Sequence, residues 1–278
     1  MPTLYRQVLS YNELVEECRA EEPKGKWALS GASSLQKRKS KREKERWDLG
    51  AGWRGALKIA DYGWPEGREM MSEGLRVGSS DHLDIGAPEY TSDVVGQFPD
   101  VPEFLSGSPE CMVDYDEEGM HPVISIGFTG CYPWFVTAQQ QVNLGVAGLH
   151  LVGALERAGY AVEINVLFRF GPTSGSGSQD RMELDVVIKQ PGEFVDLDRM
   201  AFALSHPAFL RRLVFRWMEQ WEDAYDEFRS GMGSPLGPEP GEADILLPCP
   251  GDTVSGSPAA ALRSVIEAAG DWITLDNG

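Results

Sequence analysis

The clearest pattern of hydrophobic and polar positions lies between residues 123 and 170. VISIGF, residues 123–128, is a short apolar run of the kind that forms a buried strand. Residues 137–158 place Val142, Val146, Leu149, Val152 and Leu155 on one face of a helix, and Gly159 ends it. Val162, Ile164, Val166, Phe168 and Phe170 then alternate with more polar neighbours, which predicts a strand with one buried face. The unit is therefore strand, loop, helix, strand. Open α/β sheets bind ligands at the carboxyl end of such a first strand. Here the turn from 127 to 134 holds no Asp, Glu, His, Lys or Arg, so it offers little for moving protons or holding a metal. That points away from an enzyme.

The same reading extends to both sides. MELDVVIK is a strand, Asp198 caps a helix RMAFALS, and Pro207 opens a longer helix running to Phe228. Residues 230–243 read as a flexible Gly/Pro linker. ADILLPCP is a last buried strand in the same sheet as residues 123–128, followed by a helix over 258–269 and a short strand in DWITL. Towards the N-terminus, residues 10–21 form a helix capped by Ser10, with Glu13 completing a capping box. Trp53, Ala56, Leu57 and Ala60 form one apolar helical face, with Gly63 as C-cap and Trp64 and Pro65 as the stop. Residues 76–122 are polar and turn-rich. They hold a strand near residues 90–95 and a strand at 112–115, which an acidic turn joins to residues 123–128. The predicted organisation is a Trp-rich helical N-terminal region, residues 1–75, and an α/β domain, residues 76–278. The domain has a mainly parallel central sheet flanked by helices.

Charge changes this picture at one place. The chain carries −18 over 278 residues, which opposes non-specific contact with nucleic acid. Yet Lys37, Arg38, Lys39, Lys41, Arg42, Lys44 and Arg46 lie within residues 37–46 beside only two glutamates, a local +5. They are the candidate nucleic-acid contact. Trp27, Trp47, Trp53 and Trp64 cluster in the same third of the chain. Such rings can stack on bases, but helix packing is the preferred reading. Trp217 and Trp221 sit one helical turn apart, as core or as a partner surface.

Other candidates weaken on inspection. Cys18, Cys111, Cys131 and Cys249 form no CxxC pair, which disfavours structural zinc and predicts reduced thiols. Asp114, Asp116, Glu117 and Glu118, with His121 nearby, read as a solvated turn before they read as acid–base chemistry. GPTSGSGSQD at 171–180 lacks the Gly-Lys-Ser/Thr ending of a phosphate loop. His206 reads as a helix-junction residue and His150 as a core residue. The apolar runs are too short to span a membrane and no signal-type segment opens the chain, so a place in the bacterial cytoplasm is expected.

The strand VISIGF, the helix end ALERAGY, the strand start AVEIN and the later ADILLPCPGD resemble a von Willebrand factor A-like domain, the middle steps being similar to cobaltochelatase-type members. The resemblance implies a divalent-ion site after the first strand. Its leading Asp falls on Gly127, its serines on Thr129 and Cys131, and its later Asp near Pro250, with Asp252 displaced. With no leading carboxylate, the implied site is degenerate and neither metal nor cofactor is expected. GWRGALKIADYGWPEG and DLDRMAFALSHPAFLRRLVF also resemble an uncharacterised bacteriophage and actinobacterial protein family. The expectation is a non-enzymatic protein-binding or assembly component of a phage or prophage, with another protein as partner. A nucleic-acid-associated protein using residues 37–46 is the alternative. A metal-dependent hydrolase built on residues 114–118 comes third.

Overall fold

The alternation at residues 162–170 becomes the central strand of a sheet, with all five apolar side chains buried on the face that carries the helices. The structure is a computed structural model. It describes residues 3–20, 48–77, 84–85, 91–94, 98–99, 109, 112–114, 123–132, 136–172, 179–221, 228, 234–250, 256–270 and 273–274.

The described elements begin with strand β1 (Leu4–Ser10) and helices α1 (Tyr11–Ala20), α2 (Gly52–Tyr62) and α3 (Pro65–Val77). Short strands β2 (Asp84–Ile85), β3 (Thr91–Asp93), β4 (Phe98–Pro99) and β5 (Met112–Asp114) follow. The main unit is β6 (Val123–Thr129), α4 (Ala138–Arg157), β7 (Ala161–Gly171) and β8 (Arg181–Lys189). Then come α5 (Leu197–Ser205), a π-helical segment (Phe209–Val214) and α6 (Phe215–Met218). The last are β9 (Ser234–Pro235), β10 (Ile245–Leu247), α7 (Pro258–Ala269) and β11 (Ile273–Thr274).

The fold is α/β around a mixed, mostly parallel six-stranded sheet. Its order is β1-β8-β7-β6-β10, with β9 paired to the end of β7. The pairs β1–β8, β6–β7 and β6–β10 are parallel, while β7–β8 is antiparallel. The buried strand at 245–247 thus joins residues 123–128, as expected. Helix α4 begins at the capping box of Thr137 and Gln140. It crosses the sheet where a Cβ on Gly148 would lie 2.4 Å from the Phe128 ring. Glycine permits that close approach.

Several expectations need correction. Residues 4–10 form an edge strand, not part of a purely helical N-terminal region. Apolar residues occupy both parities there: Leu9 is buried while Leu4 and Val8 are exposed, so no alternation marked the strand. The cap of α5 is Asp196, whose side chain accepts from the N–H groups of Asp198 and Arg199. Asp198 instead sits in the first turn and pairs with Arg68. Pro65 does not only stop α2; it opens α3, as first-turn prolines do. The long helix after Pro207 contains the π-helical segment, and α6 ends at Met218. Strand β5 pairs with β3 and β4 in a separate small sheet, not with β6. The last strand, β11, pairs with β2 outside the main sheet.

The stretch 234–243, expected to be flexible, is pinned. Leu236 N–H donates to Arg169 O, and Glu242 meets the Arg169 guanidinium at 3.0 Å. Arg181 pairs with Glu239 at 2.7 Å. Next to it, Asp244 accepts from the N–H and hydroxyl of Ser125 at 2.8 and 2.7 Å. Arg169 also pairs with Asp185 at 2.6 Å, so a charged network covers the sheet face opposite Phe168. Proline and glycine content alone did not reveal these partners.

The N-terminal helices share the main core. Asp48 and Arg212 are both buried, and the Arg212 Nε–H donates to Asp48 Oδ2 at 2.8 Å. A second guanidinium N–H of Arg212 also donates to Asp48 Oδ2, and the carboxylate further accepts from the N–H groups of Gly50 and Gly52 at the entry to α2. Trp53 and Trp64 are buried. Trp217 and Trp221 meet edge to face, and the indole of Trp217 donates to Gln7 on β1. No described helix is long and apolar enough to cross a membrane.

Candidate functional site

Two places merit chemical scrutiny: the carboxyl edge of the sheet and a groove between three helices.

At the sheet edge, β6 ends in Thr129, whose hydroxyl donates to Leu247 O across to β10 at 3.1 Å. A Cβ on Gly130 would fall 2.4 Å from the Phe168 ring, so the chain can turn there only without a side chain. Cys131 is buried, and its sulfur accepts from the Arg169 N–H at 3.2 Å. Cys249 donates its S–H to Cys131 O at 3.3 Å. Burial pushes the Cys131 thiol up, far from a thiolate at neutral pH. Burial likewise pushes Tyr132 up to about 12, although Arg211 and Gln141 oppose it. At Gly127, where the degenerate site would need its leading carboxylate, a Cβ would meet Leu167 and Leu246, each at 2.8 Å. An ionised group there would lose its water to hydrocarbon. Thiol, hydroxyl and main chain thus satisfy one another across this edge. Among the described residues, no group of three His, Cys, Asp or Glu side chains converges as a metal site.

The groove has different chemistry. It measures about 920 Å³ and lies between α3, α4 and the start of α7. Helix α4 supplies Gln139, Val142, Asn143, Val146, Ala147 and His150, one continuous helical stripe. Met70 and Leu262 extend its apolar surface from the flanking helices. Glu66, Glu69 and Glu73 of α3 form an exposed wall, and no Lys or Arg is among the described lining residues. Gly74 lets α3 approach α4, since a Cβ there would come within 2.8 Å of Val146.

His150 lines this groove and is only 7% exposed. Its Nε2 has no hydrogen-bond partner. Burial lowers its pKa, with the Gly74 main chain bonded to the ring and opposing that shift.

The candidates read from sequence are distributed as follows. Residues 37–46, with Lys37, Arg38, Lys39, Lys41, Arg42, Lys44 and Arg46, lie outside the described residues, as do Trp27, Trp47, Cys111, His121 and Asp252. So do Asp116, Glu117 and Glu118, while Asp114 lies on β5. Thr129 and Cys131 meet Leu247 and Cys249 at the sheet edge. His206 is a buried junction residue whose Nδ1 accepts from Ala208 N–H at 3.0 Å, and burial lowers its pKa to about 4. Ser205 is buried beside it. The groove itself escaped the sequence reading. Helical spacing marked Val142, Val146, Leu149, Val152 and Leu155 as one apolar face, but nothing in it showed that Gln139, Asn143 and Ala147 would join Val142 and Val146 on a face left uncovered.

Residues 2–268, nearly the whole chain, match the model of a family described as Domain of unknown function (DUF7192). No curated protein matches the chain, and no solved structure matches it.

Proposed function

The chain belongs to the Domain of unknown function (DUF7192) family, and we propose that it acts there as a non-enzymatic protein-binding component. The observation that carries this reading is the groove of about 920 Å³, with an apolar floor and a glutamate wall. A floor of Val142, Val146 and Ala147 gains free energy by excluding water, while the glutamates select among partners by charge. Among the described residues, the sheet edge offers no comparable surface, because Thr129, Cys131 and Cys249 bond to neighbouring groups there.

The strand order β8-β7-β6-β10, with β8 antiparallel, supports a von Willebrand factor A-like arrangement whose metal positions Gly127, Thr129 and Cys131 have been given over to packing. Resemblance to phage and actinobacterial proteins supports an assembly role in a phage or prophage. The +5 charge of residues 37–46 supports a second, weaker contact with nucleic acid.

The test is affinity capture of the tagged full chain from a bacterium that carries its gene. The bait is compared with a Leu262→Asp variant that places a charge in the groove. A partner protein retained in stoichiometric amount by the wild type and lost by the variant supports the reading. Absence of any partner, together with Mg²⁺- or Mn²⁺-dependent hydrolytic turnover, overturns it.

A further inference from the structure

The groove also specifies the chemistry of its occupant, an inference that rests on the protein-binding reading above. We infer that it receives an amphipathic helix of a partner protein, with an apolar ridge on the α4 stripe and Lys or Arg along the flank facing α3.

Shape gives the helix. The α4 stripe runs from Gln139 to His150, which at a rise of ~1.5 Å per residue spans roughly 17 Å, or about three helical turns. Helices on both sides leave a trough, and an amphipathic helix fills such a trough with side chains at i, i+3, i+4 and i+7. Met70, Val142, Val146, Ala147 and Leu262 need bulky apolar side chains against them, more surface than the short methylene segments of a simple polyamine cover.

Charge gives the flank. Glu66, Glu69 and Glu73 stand three and four residues apart on α3, so they line one wall at successive turns. Arg76 pairs with Glu73 from within α3 but is not among the groove-lining residues. Like charges at this spacing repel mildly in the free protein, and a cationic flank relieves that repulsion. An anionic partner would meet three carboxylates on a chain already at −18. His150 lines the same groove, is 7% exposed and has an unpartnered Nε2, an independent polar group for a partner to satisfy.

The test is selection of a random 16-residue peptide library on the immobilised full chain, followed by fluorescence anisotropy of the enriched peptides. Enriched sequences should carry apolar residues at helical spacing with Lys or Arg on one flank. Their affinity should fall at least tenfold for Glu66→Lys/Glu69→Lys, whose exposed positions leave folding intact, and for Leu262→Asp. Replacing the peptide's Lys and Arg with Glu should abolish binding. Peptides that lack basic residues, or that bind the charge-reversed protein equally well, overturn the inference. If such peptides cross-link to another surface, protein binding survives and only the groove assignment falls. No enrichment overturns the groove inference, and so does a demonstration that a second copy or another part of this chain covers the groove. In both cases partner capture still judges the broader reading.

Discussion

Removing the Asp48 carboxylate should be among the most damaging single changes outside the apolar core. Asp48 is 2% exposed and Arg212 is 3% exposed. The carboxylate receives Arg212 Nε–H at 2.8 Å and the N–H groups of Gly50 and Gly52, both at 3.0 Å. Asp48→Ala removes the carboxylate that pairs with the buried Arg212 guanidinium, a loss of about 3–5 kcal/mol. The two orphaned N–H groups push the effect towards the upper end of that range. For a domain whose total stability is roughly 5–15 kcal/mol, this is a large fraction. Urea unfolding followed by circular dichroism gives the free energy. The corresponding fall in Tm is about 6–20 °C. Asp48→Ala/Arg212→Met removes both partners and should recover much of the loss, because the buried guanidinium is gone as well. A loss below about 1 kcal/mol for Asp48→Ala, or a double variant as damaged as the sum of its singles, would refute the argument.

Other outcomes follow from the same geometry. His206 is neutral when folded, with its pKa depressed from 6.5 to about 4, so its contribution is complete above pH 6.5 and is lost as the pH falls towards 4. The lost part amounts to about 3 kcal/mol. His206→Asn, which keeps an acceptor for Ala208 N–H, should lose this pH dependence, so the wild-type-minus-variant stability difference should shrink as the pH falls from 6.5 towards 4, and a parallel pair of pH profiles would refute this. Of the three described cysteines, Cys249 should react with a thiol reagent at pH 8, while buried Cys131 and Cys18, the latter pushed up to about 12, stay protected until unfolding. Fast native labelling of Cys131, read by peptide mapping, would contradict that. DNA or RNA binding through residues 37–46 should be weak, fall steeply with salt and disappear when their Lys and Arg residues are replaced. Tight binding that survives the replacements would show that the contact lies elsewhere.

Legibility in the sequence followed the strength of local pattern. Strands β6 and β7, helix α4 and the final helix were visible because their periods are unmixed and their caps are local, as with Thr137 and Ser257. Strand β1 was hidden because Val8 and Leu9 are adjacent, so facing is set only by pairing with β8. The Asp196–Asp198 ambiguity was hidden because two acids two residues apart both satisfy a capping pattern. Order in residues 234–243 depends on Arg169, Arg181 and their carboxylate partners, contacts made from far along the chain. The groove is the extreme case. Its residues are ordinary helix residues, and only the spacing of three helices makes them a surface.

Hydrogen exchange on the full chain, alone and with its captured partner, tests the central claim most directly. Slowed exchange is expected in α3, α4 and the first turns of α7, with residues 129–132 and 248–250 unchanged. Protection confined to the sheet edge, with the three helices unaffected, would contradict it.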